Sequence, residues 1–285
     1  MSTNNSSSPA SQIIPVLILF LGLFGLYYLY QYLFGVRTLN SYPLITKTQD
    51  ASAAGPINMG SDKLAPLFEG GEFTISTWLY ISDWGVRRNR HKHILSIGGS
   101  SFQTIGISLG ATKPSLRVRL QTCDRQSSSF LNNDKNGTPC DTLHTKQYNK
   151  MFTDIQMDSG LLETTPLCDL PEVDLQRWIN LTVAVNGRTV DVYLDGKLSR
   201  SCVLPAPFKV DTSGYRATIL GHGGFGGKIS TTTMYDRALN PEAVHTNYMA
   251  GPEPILSLSQ WFSSFFEPSV SSNVSSNSQI NNTMN

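Results

Sequence analysis

The chain has 285 residues, a formal net charge of +1 and only 15% charged residues. This length suits one large all-β domain with tails, or two small domains. A charge so close to zero argues against a nucleic-acid-binding protein, which usually has a basic excess, so we expect no nucleic-acid partner.

The N-terminal part of the chain predicts a membrane anchor. Residues 1–12 are polar, and we expect them to be disordered because they cannot bury enough surface to offset the entropy of ordering. Residues 13–34 contain no charged residue, and a helix of that length would span roughly 33 Å, enough for the core of a bilayer. The run includes Ile13, Pro15, Phe20, Tyr27, Tyr30 and Phe34. It predicts a single-pass transmembrane helix with the lipid bilayer as a partner; a cleaved signal peptide is disfavoured because no basic segment precedes the run.

The charges that flank this run bear on its orientation. No Lys or Arg precedes it, whereas Arg37 and Lys47 follow it, so the positive-inside rule favours a cytoplasmic C-terminal domain on the basis of two charges. We predict a membrane location, with the inner membrane of a virion as one possibility. Residues 35–55 are expected to form a linker.

Short strand patterns then recur across residues 56–252. The clearest is "NLTVAVNGRTVDVYLDGKL" (180–198), in which apolar and polar residues alternate and Asn186-Gly187 and Asp195-Gly196 mark turns. This pattern predicts an antiparallel meander of three strands. We expect Trp178, which opens the first of them, to fill the core.

One late helix completes the pattern of elements. In "NPEAVHTNYMAG" (240–251), Asn240 is a good N-cap, Pro241 suits the first helical position and Gly251 can end the helix. Many short strands, one late helix and no alternation of strands with helices indicate an all-β sandwich.

Three segments together resemble the laminin-G-like domain of the concanavalin A-like lectin/glucanase superfamily. They are "FTISTWLYI", "RWINLTVAVNGRTVDVYLDGKL" and "ILGHGGFGGKISTTTMYDRALNPEAVHTNYMAG", in that order. The resemblance covers roughly residues 60–251 and implies a jelly-roll sandwich of two curved antiparallel sheets. It does not fix a function, because the superfamily includes lectins, adhesion modules, glycosidases and scaffolds.

The acidic residues do not match a glycosidase. Glucanases of this superfamily carry three acids at alternate positions of one strand, and the nearest match here is Glu172, Asp174 and Gln176. Gln176 cannot exchange a proton in the third position, so we expect no enzymatic activity and no catalytic residue. The glycine-rich "GHGGFGG" (221–227) lacks the Lys-Ser/Thr ending of a phosphate loop and predicts a tightly packed connection instead. We predict no cofactor and assign no metal site.

The four cysteines leave the disulfide pattern open. Cys123 and Cys140 flank a polar loop, so a disulfide that closes this loop is a candidate. Cys202 lies in a strand pattern and is equally well explained as a buried thiol.

A basic loop is the first candidate binding surface. In "WGVRRNRHKH" (84–93), the candidate ligand-binding residues are Trp84, Arg87, Arg88, Arg90 and Lys92. Guanidinium groups match phosphate, sulfate and carboxylate, and an indole can stack on a sugar ring. The alternative is a solvated basic loop, with an anionic lipid surface as one possible neighbour.

Two further segments are candidate interaction surfaces. The polar insertion 121–170 is long for a connection within a sandwich, and such loops are often functional. Residues 253–267 have apolar and aromatic side chains at helical spacing and form an amphipathic segment, which could lie on a membrane or pack on a protein. The Ser/Asn-rich tail 268–285 is expected to be disordered.

These features predict a non-catalytic, membrane-anchored binding module of lectin-like fold that recognises an anionic glycan or a protein partner. The alternative is a structural protein that links a membrane to a protein shell, such as a minor capsid or virion membrane component of a large DNA virus, with capsid proteins as partners. A glycoside hydrolase is a distant third.

Overall fold

The computed structural model describes residues 9–34, 40–122, 143, 145–155 and 168–253, and within the first range it describes the side chains of residues 17–29. Helix α1 (Pro9–Phe34) begins inside the segment predicted to be disordered. Among the described residues, no helix combines the length and the apolar character that crossing a membrane requires. The transmembrane span predicted for residues 13–34 is therefore unsupported and stays a prediction. The predicted tail 268–285, and the amphipathic segment apart from its first residue, lie outside the described residues.

Twelve strands make up the described part of the sandwich. They are β1 (Ser41–Ile45), β2 (Gln49–Asp50), β3 (Ile57–Gly60), β4 (Glu72–Asp83), β5 (Lys92–Gly98), β6 (Gln103–Leu109), β7 (Leu116–Leu120), β8 (Trp178–Asn186), β9 (Thr189–Leu194), β10 (Lys197–Val203), β11 (Arg216–Ile219) and β12 (Gly226–Tyr235). Two more helices, α2 (Thr145–Thr153) and α3 (Pro241–Met249), lie in the insertion and after the last strand.

The strands form two antiparallel sheets, which confirms the predicted all-β sandwich. One sheet has seven strands in the order β1-β12-β4-β8-β9-β10, with β2 also paired to β12; the other has five, in the order β3-β11-β5-β6-β7. Because β1 and β2 pair with β12, the sandwich begins at Ser41, inside the segment that was predicted to be a linker.

The core lies between the sheets and is built from alternate residues of their strands. In β4, the inward side chains Phe73, Ile75 and Leu79 are at most 1% exposed. Inward residues of the other strands are buried to the same degree; they are Ile97, Ile105, Ile107, Val118, Leu181, Val183, Val185, Val190, Val192 and Ile229. Burial of apolar surface on this scale is the main source of the stability of the sandwich.

The predicted meander is confirmed, and its two turns explain its geometry. Strands β8, β9 and β10 are neighbours in the seven-stranded sheet, with Asn186 opposite Thr189. Gly187, Asp195 and Gly196 have φ angles of 59°, 50° and 74°. These left-handed conformations suit the Asn-Gly and Asp-Gly pairs of tight hairpins.

Helix α3 covers part of the outer face of the seven-stranded sheet. As predicted, the Asn240 side chain caps it, accepting a hydrogen bond of 2.8 Å from the Ala243 N–H. Val244 is fully buried against the sheet, and the Tyr248 ring stacks on Trp78 with a centroid distance of 5.7 Å. This face therefore has its own small apolar cluster, made of Ala184, Tyr193, Tyr235, Leu239 and Val244.

Helix α2 covers part of the outer face of the five-stranded sheet. Tyr148 and Phe152 of α2 are buried, and Tyr148 lies so close to Gly106 of β6 that a Cβ there would meet its ring at 2.6 Å. Every residue of β5, β6 and β7 is buried, including polar side chains that point away from the core. The insertion 121–170 thus contributes a helix that buries the polar outer face of this sheet.

Candidate functional site

The predicted basic loop lines a cleft at one end of the sandwich. The loop connects β4 to β5 and lies beside the hairpin between β6 and β7. The cleft has a volume of about 360 Å³. Its lining residues are Trp84, Gly85, Arg88, Asn89, Ala111 and Thr112. We call this the rim cleft.

The five predicted ligand-binding residues have different roles, and two of them orient the wall of the cleft. The Trp84 Nε1–H donates a hydrogen bond of 3.2 Å to the Thr112 carbonyl, which fixes the indole plane. Lys92 is not a surface charge, as the sequence suggested, but is fully buried at the start of β5. Its Nζ lies 4.0 Å from the centroid of the Trp84 ring and donates at 3.5 Å to the Arg90 and Ala111 carbonyls. Lys92 therefore supports one face of the indole through a cation–π contact.

Arg87 is turned away from the cleft and holds the loop to α2. Its Nη2 donates a hydrogen bond of 2.5 Å to the Phe152 carbonyl in the last turn of that helix. A cation is favourable at this position because helix C-termini carry unsatisfied carbonyls and a partial negative charge. Burial, and secondarily the charge of Arg90, lowers the pKa of Arg87, which nevertheless stays charged at neutral pH.

Arg88 is the guanidinium that the rim cleft presents to solvent. It is exposed, as are its cleft neighbours Asn89 and Thr112, whereas Arg90 is half-buried. A guanidinium, a carboxamide and a hydroxyl around a fixed indole can bind a ligand that has several hydroxyls and one anionic group. Sequence reasoning identified Trp84 and Arg88 but missed Asn89 and Thr112. Thr112 is distant in sequence, and only the pairing of β6 with β7 brings its hairpin to this rim.

Two histidines lie behind the loop, under α2. The Gly221 N–H donates to Nδ1 of His93 at 3.1 Å, so the ring proton is on Nε2, which donates to the Ser96 hydroxyl at 3.1 Å. Burial, and secondarily the charges of His222 and Arg87, lowers the pKa of His93 to about 3. Burial and Arg87 also lower the pKa of His222. Both rings are therefore neutral at physiological pH.

The glycine-rich segment makes the close packing that its sequence predicted. A Cβ at Gly223 would lie 3.0 Å from Nη1 of Arg87, and a Cβ at Gly221 would lie 3.3 Å from Nδ1 of His93. Gly223 also has a φ of 83°. These glycines leave space for the Arg87 and His93 side chains, and the segment joins two strands as expected.

The acidic stretch before β8 forms a loop and no strand. Residues 171–177 are irregular, and Gln176 has a φ of 58°. Asp174 accepts a hydrogen bond of 2.7 Å from Nε of Arg177, and Nη2 of Arg177 donates to Asp195 at 2.6 Å. The alternate-position arrangement of acids on one strand is therefore not formed. Among the described residues, no group of three or more His, Cys, Asp or Glu side chains could hold a metal ion.

The described cysteines form a disulfide that the sequence did not predict. Cys168, at the end of the insertion, is bonded to Cys202 of β10, with a Cα–Cα distance of 5.7 Å. Cys202 is therefore not the buried thiol that we considered. The candidate pair Cys123 and Cys140 lies outside the described residues.

Comparisons with known proteins support the fold. The family model for laminin G-type domains of the concanavalin A-like lectin/glucanases superfamily matches residues 115–245. No curated protein matches the chain. Residues 115–245 are thus similar to this superfamily, as the motifs predicted, and the two-sheet fold is lectin-like.

Solved structures with similar folds are distant in sequence. The ligand binding domain of botulinum neurotoxin serotype D, in complex with N-acetylneuraminic acid, is 12% identical with a TM-score of 0.43, covering 75% of this chain and 43% of that one. The binding domain of Paraclostridial Mosquitocidal Protein 1 is 14% identical with a TM-score of 0.41, covering 74% and 47%. A Trypanosoma rangeli sialidase is 12% identical with a TM-score of 0.38, covering 64% and 23%. The chain thus spans less than half of each of these structures, and no ligand follows from likenesses this small.

Proposed function

We propose that this protein is a glycan-binding module and that the rim cleft binds an anionic saccharide. The observation that carries the proposal is the lining of the cleft, where an exposed guanidinium, Arg88, stands beside the carboxamide of Asn89 and the fixed indole of Trp84. A lectin-like fold is a suitable scaffold because its rim loops are held by two rigid sheets.

The dimensions and chemistry of the cleft favour a small ligand over a protein surface. A volume of about 360 Å³ lies at the lower end of the range for small-molecule sites and can hold one or two sugar rings. The amide of Asn89 and the hydroxyl of Thr112 match the hydroxyls of a saccharide. Arg88 supplies a fork that pairs with a carboxylate or sulfate.

A glycan array with neutral, sialylated and sulfated oligosaccharides, probed with the full chain, tests the proposal. We expect acidic glycans to bind, and Arg88→Ser to weaken binding about 10- to 100-fold, because a hydrogen bond to a charged group contributes about 1.5–3 kcal/mol. The matched control is Arg216→Ser: Arg216 is exposed but pairs with Gly98, at the other end of β5. Equal losses in the two variants, or no loss with Arg88→Ser, would contradict a specific site in the rim cleft.

We also propose that binding is not followed by hydrolysis. The support is the acidic loop, in which Glu172 and Asp174 are exposed and Asp174 is paired with Arg177. The assay is release of reducing ends from β-glucans and from the glycans that bind. A rate that falls on Glu172→Gln would overturn this part of the proposal.

The membrane anchor remains part of the proposed function. Its support is that the described part of α1 exposes large apolar side chains on all sides; they are Leu17, Ile18, Leu19, Phe20, Leu21, Leu23, Phe24, Leu26, Tyr27, Tyr28 and Leu29. A helix that is apolar all round needs an apolar environment, either lipid or another protein. Flotation of the full chain with liposomes distinguishes the two environments: flotation supports a lipid anchor, which the anchored lectin and the membrane-to-shell alternative both require, and absence of flotation favours packing of this helix on another protein.

The disulfide bears on the compartment in which the domain folds. Disulfides persist in oxidising environments and are rare in the cytosol, so the Cys168–Cys202 bond supports a domain outside the cytoplasm. This argues against the cytoplasmic side that two flanking charges favoured. Peptide mapping of protein alkylated at the moment of cell lysis, without reductant, tests the proposal, and modified Cys168 and Cys202 would contradict it.

A further inference from the structure

We propose that α2 controls the rim cleft through Arg87, and that protonation of His93 and His222 beneath α2 releases both, so that the bound ligand dissociates on acidification. The inference rests on the proposed function for its effect on binding. The coupling between α2 and the loop does not depend on any ligand.

Arg87 is the physical link between α2 and the cleft. Its guanidinium is bonded to the Phe152 carbonyl of α2, and its backbone neighbours Arg88 and Asn89 line the rim cleft. Arg87 and Asn89 have φ angles of 56° and 59°, a conformation that costs free energy for residues other than glycine. Contacts must offset that cost: the Arg87 bond to Phe152 ties the loop to α2, as the Trp84 bond to Thr112 ties it to the β6–β7 hairpin. If α2 leaves the sheet, the loop loses that support.

Helix α2 is docked through three aromatic rings, its own Phe152 and the imidazoles of His93 and His222. We call the state in which these contacts are intact the seated state. The Phe152 ring stacks on His222 with an interplanar angle of 9° and a centroid distance of 5.1 Å. The same Phe152 ring meets the edge of His93 at 5.1 Å, and the two imidazoles are 5.9 Å apart. Protonation of either imidazole therefore places a charge in a closely packed, apolar contact.

The described groups that face the imidazoles include no carboxylate that would compensate such a charge. From β5 these are His93 and the Ser96 hydroxyl, from the turn before β12 His222, from α2 the Tyr148 phenol and the Asn149 amide, and from the loop Arg87. The charged side chains of α2 and the residue after it, Lys146, Lys150 and Asp154, are not buried, and Lys150 pairs with Asp154. Burial is the main cause that lowers the pKa of both imidazoles; the charge of Arg87 lowers both further, and that of His222 lowers the pKa of His93.

The sign and size of the effect follow from this arrangement. The seated state keeps His93 neutral down to a pKa of about 3, whereas a histidine exposed by release of α2 titrates near its ordinary value of 6.5. The open state therefore gains protons as the pH falls below 6.5. For His93 alone, the ratio of open to seated molecules rises about tenfold per pH unit, or roughly 30-fold by pH 5.0.

Hydrogen exchange on the full chain at pH 7.5 and 5.0 tests the coupling without a ligand. After correction for the intrinsic pH dependence of exchange, we expect protection of residues 145–153 and of the loop 84–90 to fall together by about 10- to 30-fold. His222→Asn, which accepts the left-handed conformation but cannot be protonated near pH 5, should reduce the change. The matched control is His245→Asn, since His245 is exposed on α3.

Arg87→Met separates the coupling from a general loosening of the fold. It should leave the acid response of α2 in place but expose the loop 84–90 already at pH 7.5. Loop protection that stays constant while α2 opens, or no change in either segment between the two pH values, would overturn the proposal.

Titration of 3′-sialyllactose at both pH values then tests the effect on binding. The expected result is an affinity at pH 5.0 that is reduced in proportion to the fraction of molecules in which exchange shows α2 still on the sheet, with a smaller reduction in His222→Asn. Affinity that is the same at both pH values, despite opening of α2, would overturn the inference. Absence of binding at either pH with coupled exchange would instead count against the proposed ligand class and leave the coupling intact.

Discussion

Both outer faces of the sandwich are covered by a short helix, but the chemistry under the two helices differs. Under α3, the polar groups are neutral: Thr182 donates to the Ser76 hydroxyl at 3.0 Å, and Asn180 is close to both. Under the insertion that carries α2, the buried groups include the imidazole of His93 and the charged guanidinium of Arg119. The first face should therefore be indifferent to pH between 7 and 5, whereas the second has histidines whose pKa is lowered by burial.

The buried charge on the α2 side should give the largest response to mutation. Arg119 is 4% exposed and pairs with Asp169 through two hydrogen bonds, one of them 2.8 Å from Nη2. Because Arg119→Met leaves the Asp169 carboxylate without its partner in a largely buried site, we expect a loss of about 3–5 kcal/mol in the free energy of unfolding.

An exposed arginine beside the seven-stranded sheet provides the control for this prediction. Arg177 also binds two carboxylates, but its side chain is 50% exposed. Arg177→Met should therefore cost at most about 1 kcal/mol. Urea unfolding of both variants measures the difference, and similar midpoints would mean that burial does not distinguish the two sites.

The disulfide joins the insertion that carries α2 to the seven-stranded sheet, and its removal should have the next largest effect on stability. Cys168 ends the insertion and Cys202 belongs to the edge strand β10 of the seven-stranded sheet, 34 residues apart. Its removal relaxes the unfolded chain, so Cys168→Ser with Cys202→Ser should lower the free energy of unfolding by about 2–4 kcal/mol. Hydrogen exchange should show the larger loss of protection near residues 168–173. An unchanged thermal midpoint would indicate that the bond is not formed in the folded protein.

Acid should destabilise the α2 side selectively. His93 has a folded pKa of about 3 and His222 a lowered one, so both contribute stability above the unfolded value of 6.5 and lose it as the pH falls. The loss from His93 should be roughly 2 kcal/mol between pH 7 and pH 5, since each pKa unit corresponds to 1.4 kcal/mol. The pKa values of Asp50 and Asp211 are lowered from 3.8, so their contributions are lost in a more acidic window. Thermal unfolding from pH 7 to 5 measures the slope, and a flat profile would contradict the account.

Trp178 should give the smallest effect, contrary to the sequence expectation. It lies on the outer face of the seven-stranded sheet, half-buried, with its ring 5.6 Å from that of Tyr80. Trp178→Ala should therefore cost about 1 kcal/mol, in the range of an aromatic pair, and not the ~3–5 kcal/mol of a core tryptophan. A loss above 3 kcal/mol on thermal unfolding would restore the core assignment.

The sequence predicted features that depend on neighbouring residues and missed features that depend on distant elements. The meander and the cap of α3 depend on residues next to one another, such as Asn186-Gly187 and Asn240-Pro241, so local patterns were sufficient. The core position that was predicted for Trp178 is wrong, because strand β8 carries large side chains on both of its faces. Both faces of β4 and β8 carry large side chains, and only the position of α3 shows which part of the outer face is covered.

The site itself was predictable only in part for a related reason. The positive charges of the loop are visible in the sequence, but whether each faces solvent depends on elements far along the chain. Arg87 is bound by Phe152, and Lys92 is enclosed by Trp84 and the β6–β7 hairpin. The Arg119–Asp169 pair and the Cys168–Cys202 bond likewise link residues that no local motif connects.

The central claim, that an acidic saccharide binds in the rim cleft, is tested most directly by NMR chemical-shift mapping of the full chain with 3′-sialyllactose. The account predicts saturable shifts in residues 84–90 and 110–113, including the Trp84 indole N–H. It also predicts small shifts around Tyr80 and Trp178, a half-buried aromatic pair elsewhere on the surface. Shifts centred on that pair, with the rim cleft unaffected, would contradict the claim.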